Sequence, residues 1–213
     1  MPIPRDRQDA YPTDRQDAYP TVDAYPTFTF FERDGMNSQA SDAGASPSVA
    51  EHRQQSPTVV RCAVLTISDT RTLETDTGGR TLVDGLAGKG HLVVARRIVR
   101  DEPEAIRGLL VEWSQSDEID AILLTGGTGI ASRDQTFETV SSLITKPLPG
   151  YGELFRWLSY QEIGAAAMLS RATGGLVGRK VLLTMPGSQA AVRLAVEKLI
   201  LPELGHLVRE ARR

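Results

Sequence analysis

Cysteine is nearly missing from this chain of 213 residues: Cys62 is the only one, and there are three histidines. A lone thiol cannot build an intramolecular disulfide framework, so a reducing compartment is the default and the cytoplasm the expected location. His52, His91 and His206 lie far apart and lack ligand spacing, which argues against a His/Cys zinc site. No apolar run approaches the roughly 18 residues that a membrane span needs. The amino-terminal stretch carries no apolar segment of the kind that marks a secretory signal. A basic excess is also lacking. Up to Pro57 the chain has five Lys/Arg against nine Asp/Glu, a net of −4; the remainder has nineteen against eighteen, a net of +1. A nearly neutral domain cannot neutralise a phosphate backbone, so nucleic acid is not an expected partner, and any basic groove must be local.

What is present divides into two parts. Asp6–Thr13 reads DRQDAYPT, Asp14–Thr21 repeats it, and Asp23–Thr27 gives a truncated DAYPT. Too few aliphatic residues occur there to form a core, and the Tyr-Pro steps bias the backbone towards extended conformations. A short aromatic patch at 28–31 and a Ser/Ala/Gln-rich stretch from Met36 to Ser56 follow, so residues 1–57 are expected to be a disordered tail. Met36 is a candidate alternative start, since everything characteristic lies downstream.

From residue 58 onward the chain reads as one domain. Val59–Ile67 is a β-branched apolar run, a first strand buried on both faces, with Cys62 as a small core residue and no nucleophile. Thr77–Lys89 suits a helix with Gly90 to cap it. His91–Val99 reads as a second strand, and Pro103 opens a helix whose Ile106, Leu109, Leu110 and Trp113 form one apolar stripe. Ile119–Leu124 is a third strand. Thr136 suits the N-cap of a helix carrying Val140, Leu143 and Ile144. Helical segments are expected at Glu153–Tyr160 and Glu162–Ser170, then a strand at Lys180–Met185 and helices to Arg213. Trp157 and Leu158 either face a neighbouring subunit or pack internally. Alternating strands and helices imply an α/β fold, a three-layer sandwich around a mostly parallel sheet.

In such a sheet, ligands bind at the carboxyl ends of strands. Loop chemistry gathers at Ser68-Asp69, at Asp101, along Thr125-Gly126-Gly127-Thr128-Gly129-Ile-Ala-Ser-Arg133-Asp134-Gln-Thr136, and at Pro186-Gly187-Ser188. A glycine-rich loop after a strand leaves amides free to cradle phosphate oxygens. Arg133 adds a cation, and Asp134 suits Mg2+ or the orientation of a nucleophile. The loop is neither a Walker A motif nor a dinucleotide fingerprint. Its glycines alone fit equally well a tight turn that needs positive φ. Asp101 fits equally well the N-cap of the Pro103 helix, and Asp69 an Asx-turn in its own loop. Asp76 is expected at the surface.

The pattern Thr-Gly-Gly-Thr-Gly-x-x-x-Arg-Asp-x-Thr, with Lys146-Pro-Leu-Pro-Gly150, Ser170-Arg171 and Pro186-Gly-Ser188, resembles the molybdopterin adenylyltransferase (MogA/MoaB-like) family, whose fold recurs in the gephyrin and plant Cnx molybdopterin-binding domains. Leu65-Thr-Ile-Ser-Asp69 and the segment from Leu158 to Arg171 resemble it too, and the likeness spans Val59 to about Arg209. The resemblance implies transfer of AMP from Mg-ATP to the terminal phosphate of molybdopterin with release of pyrophosphate, and delivery of the product to a molybdenum insertase. It also implies Asp101 and Asp134 as catalytic and Mg2+-holding residues, Thr125–Gly129 as the ligand loop, and homotrimers or homohexamers. The family commonly has Arg-Asp-Val-Thr-Pro-Glu where this chain has Arg133-Asp-Gln-Thr-Phe-Glu138; a helix-start preference is lost at Phe137, but no functional group. Two rival readings remain: a non-catalytic molybdopterin carrier with the same pocket, and a nucleotide-binding α/β domain of unrelated function.

Overall fold

The computed structural model describes residues 56–213, so the expectations for the repeat-bearing segment, including His52 and Met36, lie outside the described residues. Strand β1 (Arg61–Ile67) is buried except at its first residue. It is flanked by β2 (Leu92–Val99) and β3 (Ala121–Thr125), both parallel to it, and β3 pairs in parallel with β6 (Lys180–Met185). The strand order is β2-β1-β3-β6-β5-β4, with β4 (Lys146–Pro147) and β5 (Gly174–Val177) antiparallel.

Alternation along β1 creates the layers. Cys62 and Val64 enter one core, with Leu82, Leu86, Phe155, Val192 and Leu204; Ala63, Leu65 and Ile67 enter the other, with Ile106, Leu110 and Trp113. A period of two on a strand covered on both sides gives a three-layer α/β sandwich.

Helix α1 (Thr77–Gly88) ends as its glycine implies, with Lys89 as C-cap and Gly90 beyond it at φ 80°. Its start corrects the expectation for Asp76, which is 1% exposed. The Asp76 carboxylate accepts from the Gly79 amide (2.8 Å), the Thr66 hydroxyl (2.8 Å) and the Arg96 guanidinium (2.9 Å). A polar loop concealed that role, because only the fold brings β2 beside it. Burial by itself would raise its pKa, yet the Gly79 amide and Arg96 hold it below the usual carboxylate range.

Helix α2 (Pro103–Gln115) has Glu102 as N-cap with no side-chain bond, and α3 (Thr136–Leu143) has Gln135, again without one. Thr136 is therefore not the cap expected of it, and the cap alternative for Asp101 falls away; the two bond each other, at 3.1 Å. The two helical segments expected between residues 153 and 170 are one helix, α4 (Pro149–Ile163), followed at Gly164 by a 3-10 segment (Gly164–Leu169). Gly164, at φ 63°, ends the helix.

Helix α5 (Gln189–Ala195) runs through a π turn (Val196–Ile200) into α6 (Leu201–Arg212). Pro202 explains the turn: its ring has no N–H and would collide with the carbonyl four residues back, so the helix widens ahead of it. No helix among the described residues is long and apolar enough to cross a membrane.

Candidate active site

The carboxyl tips of β1, β2, β3 and β6 lie side by side, because these strands are consecutive and parallel. Beyond β1, the Ser68 hydroxyl accepts from the amides of Thr70 (3.3 Å) and Arg71 (3.2 Å), folding its own loop. That leaves Asp69 free for other partners. Its carboxylate takes the Arg133 Nε at 2.8 Å, and the Asp101 amide donates to it as well. The hydrogen bond from Arg133 is the main reason that Asp69 titrates below its ordinary value. Arg133 also reaches Glu102 at 3.3 Å, so it ties the loops after β1, β2 and β3 together. Both partners are well exposed, and the pair is worth little energetically; its effect is positional.

Asp101 is 9% exposed. Burial pushes its pKa up, and although the Thr136 hydroxyl and the Gln135 amide oppose this, the nearby charges of Asp134 and Asp69 add to the rise. The three aspartates thus share one electrostatic neighbourhood. Two glycines of the loop make room for two of them. A Cβ on Gly127 would fall 2.0 Å from the Thr136 hydroxyl and 2.8 Å from the Asp101 Oδ2, and one on Gly129 would fall 2.4 Å from the Asp134 Oδ2. Gly126 (φ 100°) and Gly127 (φ 64°) satisfy the turn reading of the motif, but Gly129 has no positive φ. Its lack of a side chain serves the close approach of Asp134.

On the other side, Thr125 is fully buried and donates to the Pro186 carbonyl at 3.2 Å, while the Gly126 amide donates to Met185 at 3.0 Å. A Cβ on Gly187 would meet the Gly126 Cα at 3.3 Å. Ser188 caps α5, accepting from the Ala191 amide at 3.3 Å. Contacts therefore run without a gap from Asp69 through Asp101 and the glycine loop to Ser188. A depression at the opposite end of the sheet, bordered by Arg61, Asp120 and Arg212, is a different matter: Asp120 is buried and paired with both arginines, so its charges are already spent on each other.

A family model described as a probable molybdopterin binding domain matches residues 63–206. The chain belongs to that family. Molybdenum cofactor biosynthesis protein B of Bacillus cereus is 52% identical over 167 residues, covering 78% of this chain and 99% of that protein. The Bacillus subtilis protein of the same description is 50% identical over 167 residues, with 78% and 98% covered. Among solved structures, a molybdenum cofactor biosynthesis protein B superposes with a TM-score of 0.72 at 52% identity, covering 75% of this chain and 99% of that one. The tungsten cofactor synthesizing protein MoaB from Pyrococcus furiosus does so with a TM-score of 0.66 at 35% identity, covering 74% and 99%.

In this molybdopterin-binding domain, one residue of the site was visible in the sequence only as part of a motif. Arg171 donates through its amide to the Thr128 carbonyl (3.2 Å) and through its guanidinium to the Asp134 carbonyl (2.7 Å), so it grips the glycine loop at both ends. It also pairs with Glu138 and lies over the Phe137 ring, 5.2 Å from the centroid. The departure at residue 137 thus has a physical counterpart: the ring supports the arginine that holds the loop. Arg171 and Phe137 border a cleft of about 350 Å³ together with Arg156, Met168 and Ser170. The signal available was an arginine closing a run of small and apolar residues at 164–169.

Proposed function

We propose that the chain acts in molybdenum cofactor biosynthesis, as the names of its relatives do for those proteins, and that it transfers AMP from Mg-ATP to the terminal phosphate of molybdopterin. A phosphate oxygen of the pterin attacks the α-phosphorus of ATP. A new P–O bond forms, the bond from that phosphorus to the α,β-bridging oxygen breaks, and pyrophosphate leaves with the electron pair. Two anionic centres must be brought together, so the protein has to position them and balance charge. The observation that carries this reading is the pair Asp101 and Asp134 set against Gly127 and Gly129 of the glycine loop.

The residues present fit Mg2+. That ion needs only one or two carboxylates when phosphate oxygens complete its shell, and Asp101, whose pKa is raised chiefly by burial with Asp134 and Asp69 adding to the rise, stands among negative charges that a cation would offset. Asp134 and Asp101 would hold it; when bound, it withdraws charge from the phosphate oxygens. The amides of Gly127–Gly129 orient those oxygens, with Thr125 and Gly126 anchoring the loop to the Pro186 and Met185 carbonyls and with Ser68, Asp69, Arg133 and the Pro186-Gly187-Ser188 turn forming the rim.

The deciding experiment incubates the protein with Mg-ATP and molybdopterin and looks for the adenylylated pterin. Asp134→Ala is expected to retain pterin binding and lose the product; equal cofactor production by both proteins would favour a carrier. Catalytic product formation would also exclude a nucleotide-binding domain of unrelated function.

We also propose that copies of the chain assemble with one another, as the family resemblance implies, through the face of α4 that carries Leu154, Trp157 and Tyr160. All of these are exposed, Trp157 by 60%, whereas Leu158 packs inward. Delivery of product to a molybdenum insertase completes the proposal.

A further inference from the structure

The backbone from Thr128 to Asp134 has few ties to the rest of the molecule. Within it, the Asp134 amide donates to the Ala131 carbonyl at 2.9 Å and the Ala131 amide to the Asp134 Oδ2 at 3.1 Å, so the stretch closes on itself as a turn. Beyond that turn, among the described residues, its backbone makes hydrogen bonds only with Arg171. The arginine's amide donates to the Thr128 carbonyl and its guanidinium to the Asp134 carbonyl. The side-chain tie from Arg133 to Asp69 and Glu102 is exposed and worth little. A loop fastened at both ends by one residue takes its position from that residue.

Arg171 is itself fixed from behind. The next residue, Ala172, is buried, and its carbonyl accepts from Arg156 at 3.1 Å. The Thr173 amide then donates to the Thr184 hydroxyl on β6 at 2.9 Å. The backbone of the arginine thus belongs to the core, while its side chain reaches across to the loop. There the guanidinium pairs with Glu138 and lies on the Phe137 ring, both at the start of α3. A planar fork of donors lets one side chain pair with a carboxylate, donate to a carbonyl and stack on a ring at once. The residue whose carbonyl takes that bond, Asp134, also carries the carboxylate set against Gly129. Moving the anchor therefore moves that carboxylate and the loop amides together.

We propose that Arg171 is a positioning residue, which holds the glycine loop and the Asp134 carboxylate in working register and is held in turn by Phe137 and Glu138. The inference rests on the adenylyl-transfer reading for what the loop does, but the loop's dependence on Arg171 is measurable without any reaction.

The test compares the full chain with Arg171→Gln and Arg171→Lys, and with Glu138→Gln as a milder variant that keeps the arginine. Amide hydrogen exchange is followed at Ala131 and Asp134, with the amides of β3 and β6 as the reference for an intact fold. Arg171→Gln is expected to speed exchange at both loop amides about tenfold or more while the strand amides keep their rates. Its kcat for adenylylated pterin should fall about a hundredfold, with KM for ATP changed by less than about threefold. Arg171→Lys, a point charge without the fork, should recover only part of either loss. Glu138→Gln should speed the same two amides by about threefold. Loop amides that exchange in Arg171→Gln as they do in the wild type would overturn the proposal. So would a raised KM at unchanged kcat, which makes the arginine a substrate contact. Should Arg171→Gln lose strand protection as well, Glu138→Gln decides, and unchanged loop amides there overturn the proposal. Loop amides released in the variants, with no adenylylated pterin from the wild type, sink the reaction and keep the positioning role.

Discussion

Asp101 and Asp76 are both buried carboxylates, yet their surroundings drive their proton affinities in opposite directions. Asp76 is depressed, so its contribution to stability is present above the unfolded value of about 3.9 and is lost as the pH falls through the folded value. Asp76→Ala removes both the helix cap and a buried ion-pair partner, and chemical denaturation should show a loss of about 2–4 kcal/mol. Asp101 is raised, so any stability it adds is full below the unfolded value and is lost as the pH climbs through the folded one. Its ionised form at neutral pH is therefore a standing cost. Asp101→Asn should abolish AMP transfer while raising stability at pH 7 by something of order 1 kcal/mol; a variant that was both inactive and clearly less stable would contradict this account. Burial pushes the Cys62 thiol up to about 12. A disulfide reagent should leave it untouched in the native protein and label it once urea unfolds the chain.

At the scale of elements, the glycine loop separates conformation from chemistry. Gly127→Ala meets both a left-handed φ and the Thr136 hydroxyl, so it should lower the melting temperature and the activity together. Gly129→Ala has no such backbone conflict and meets only the Asp134 carboxylate. It should cut activity at least tenfold with little change in melting temperature, measured on the same preparation. The central strands were legible because residues buried on both faces write continuous apolar runs, and the loop after β3 because its glycines are followed by Arg133 and Asp134. Strands β4 and β5 were not legible, since one is two residues long with a proline and the other begins with two glycines. Their pairing exists only through contact with β6. For the same reason Asp76 was misread as a surface residue, Thr136 as a cap, and Arg171 as no more than a motif letter: their partners Arg96, Asp101, Thr128 and Asp134 are distant in sequence, and spacing carries no record of them.

For the whole molecule, the apolar face of α4 makes the proposed assembly testable. Trp157→Glu should convert the sedimenting species to a monomer at micromolar concentration with the fold intact by circular dichroism; an unchanged sedimentation coefficient would remove that face from consideration. A longer-range link runs along the chain's last continuous helical stretch. It starts at Ser188 in the site and finishes with Arg212 on Asp120, at 2.5 Å, beneath the far end of the sheet. Val192, Val196, Ile200, Leu204 and Val208 recur every four residues along it, and all are buried. In an unbroken α-helix each such step would drift by about 40°, swinging the last of them towards solvent. The wide turn ahead of Pro202 rotates the phase backwards midway. A single residue inserted after Ile200 would turn the rest of the stretch by about 100° and carry Arg212 away from Asp120, loosening the end of the sheet opposite the candidate site.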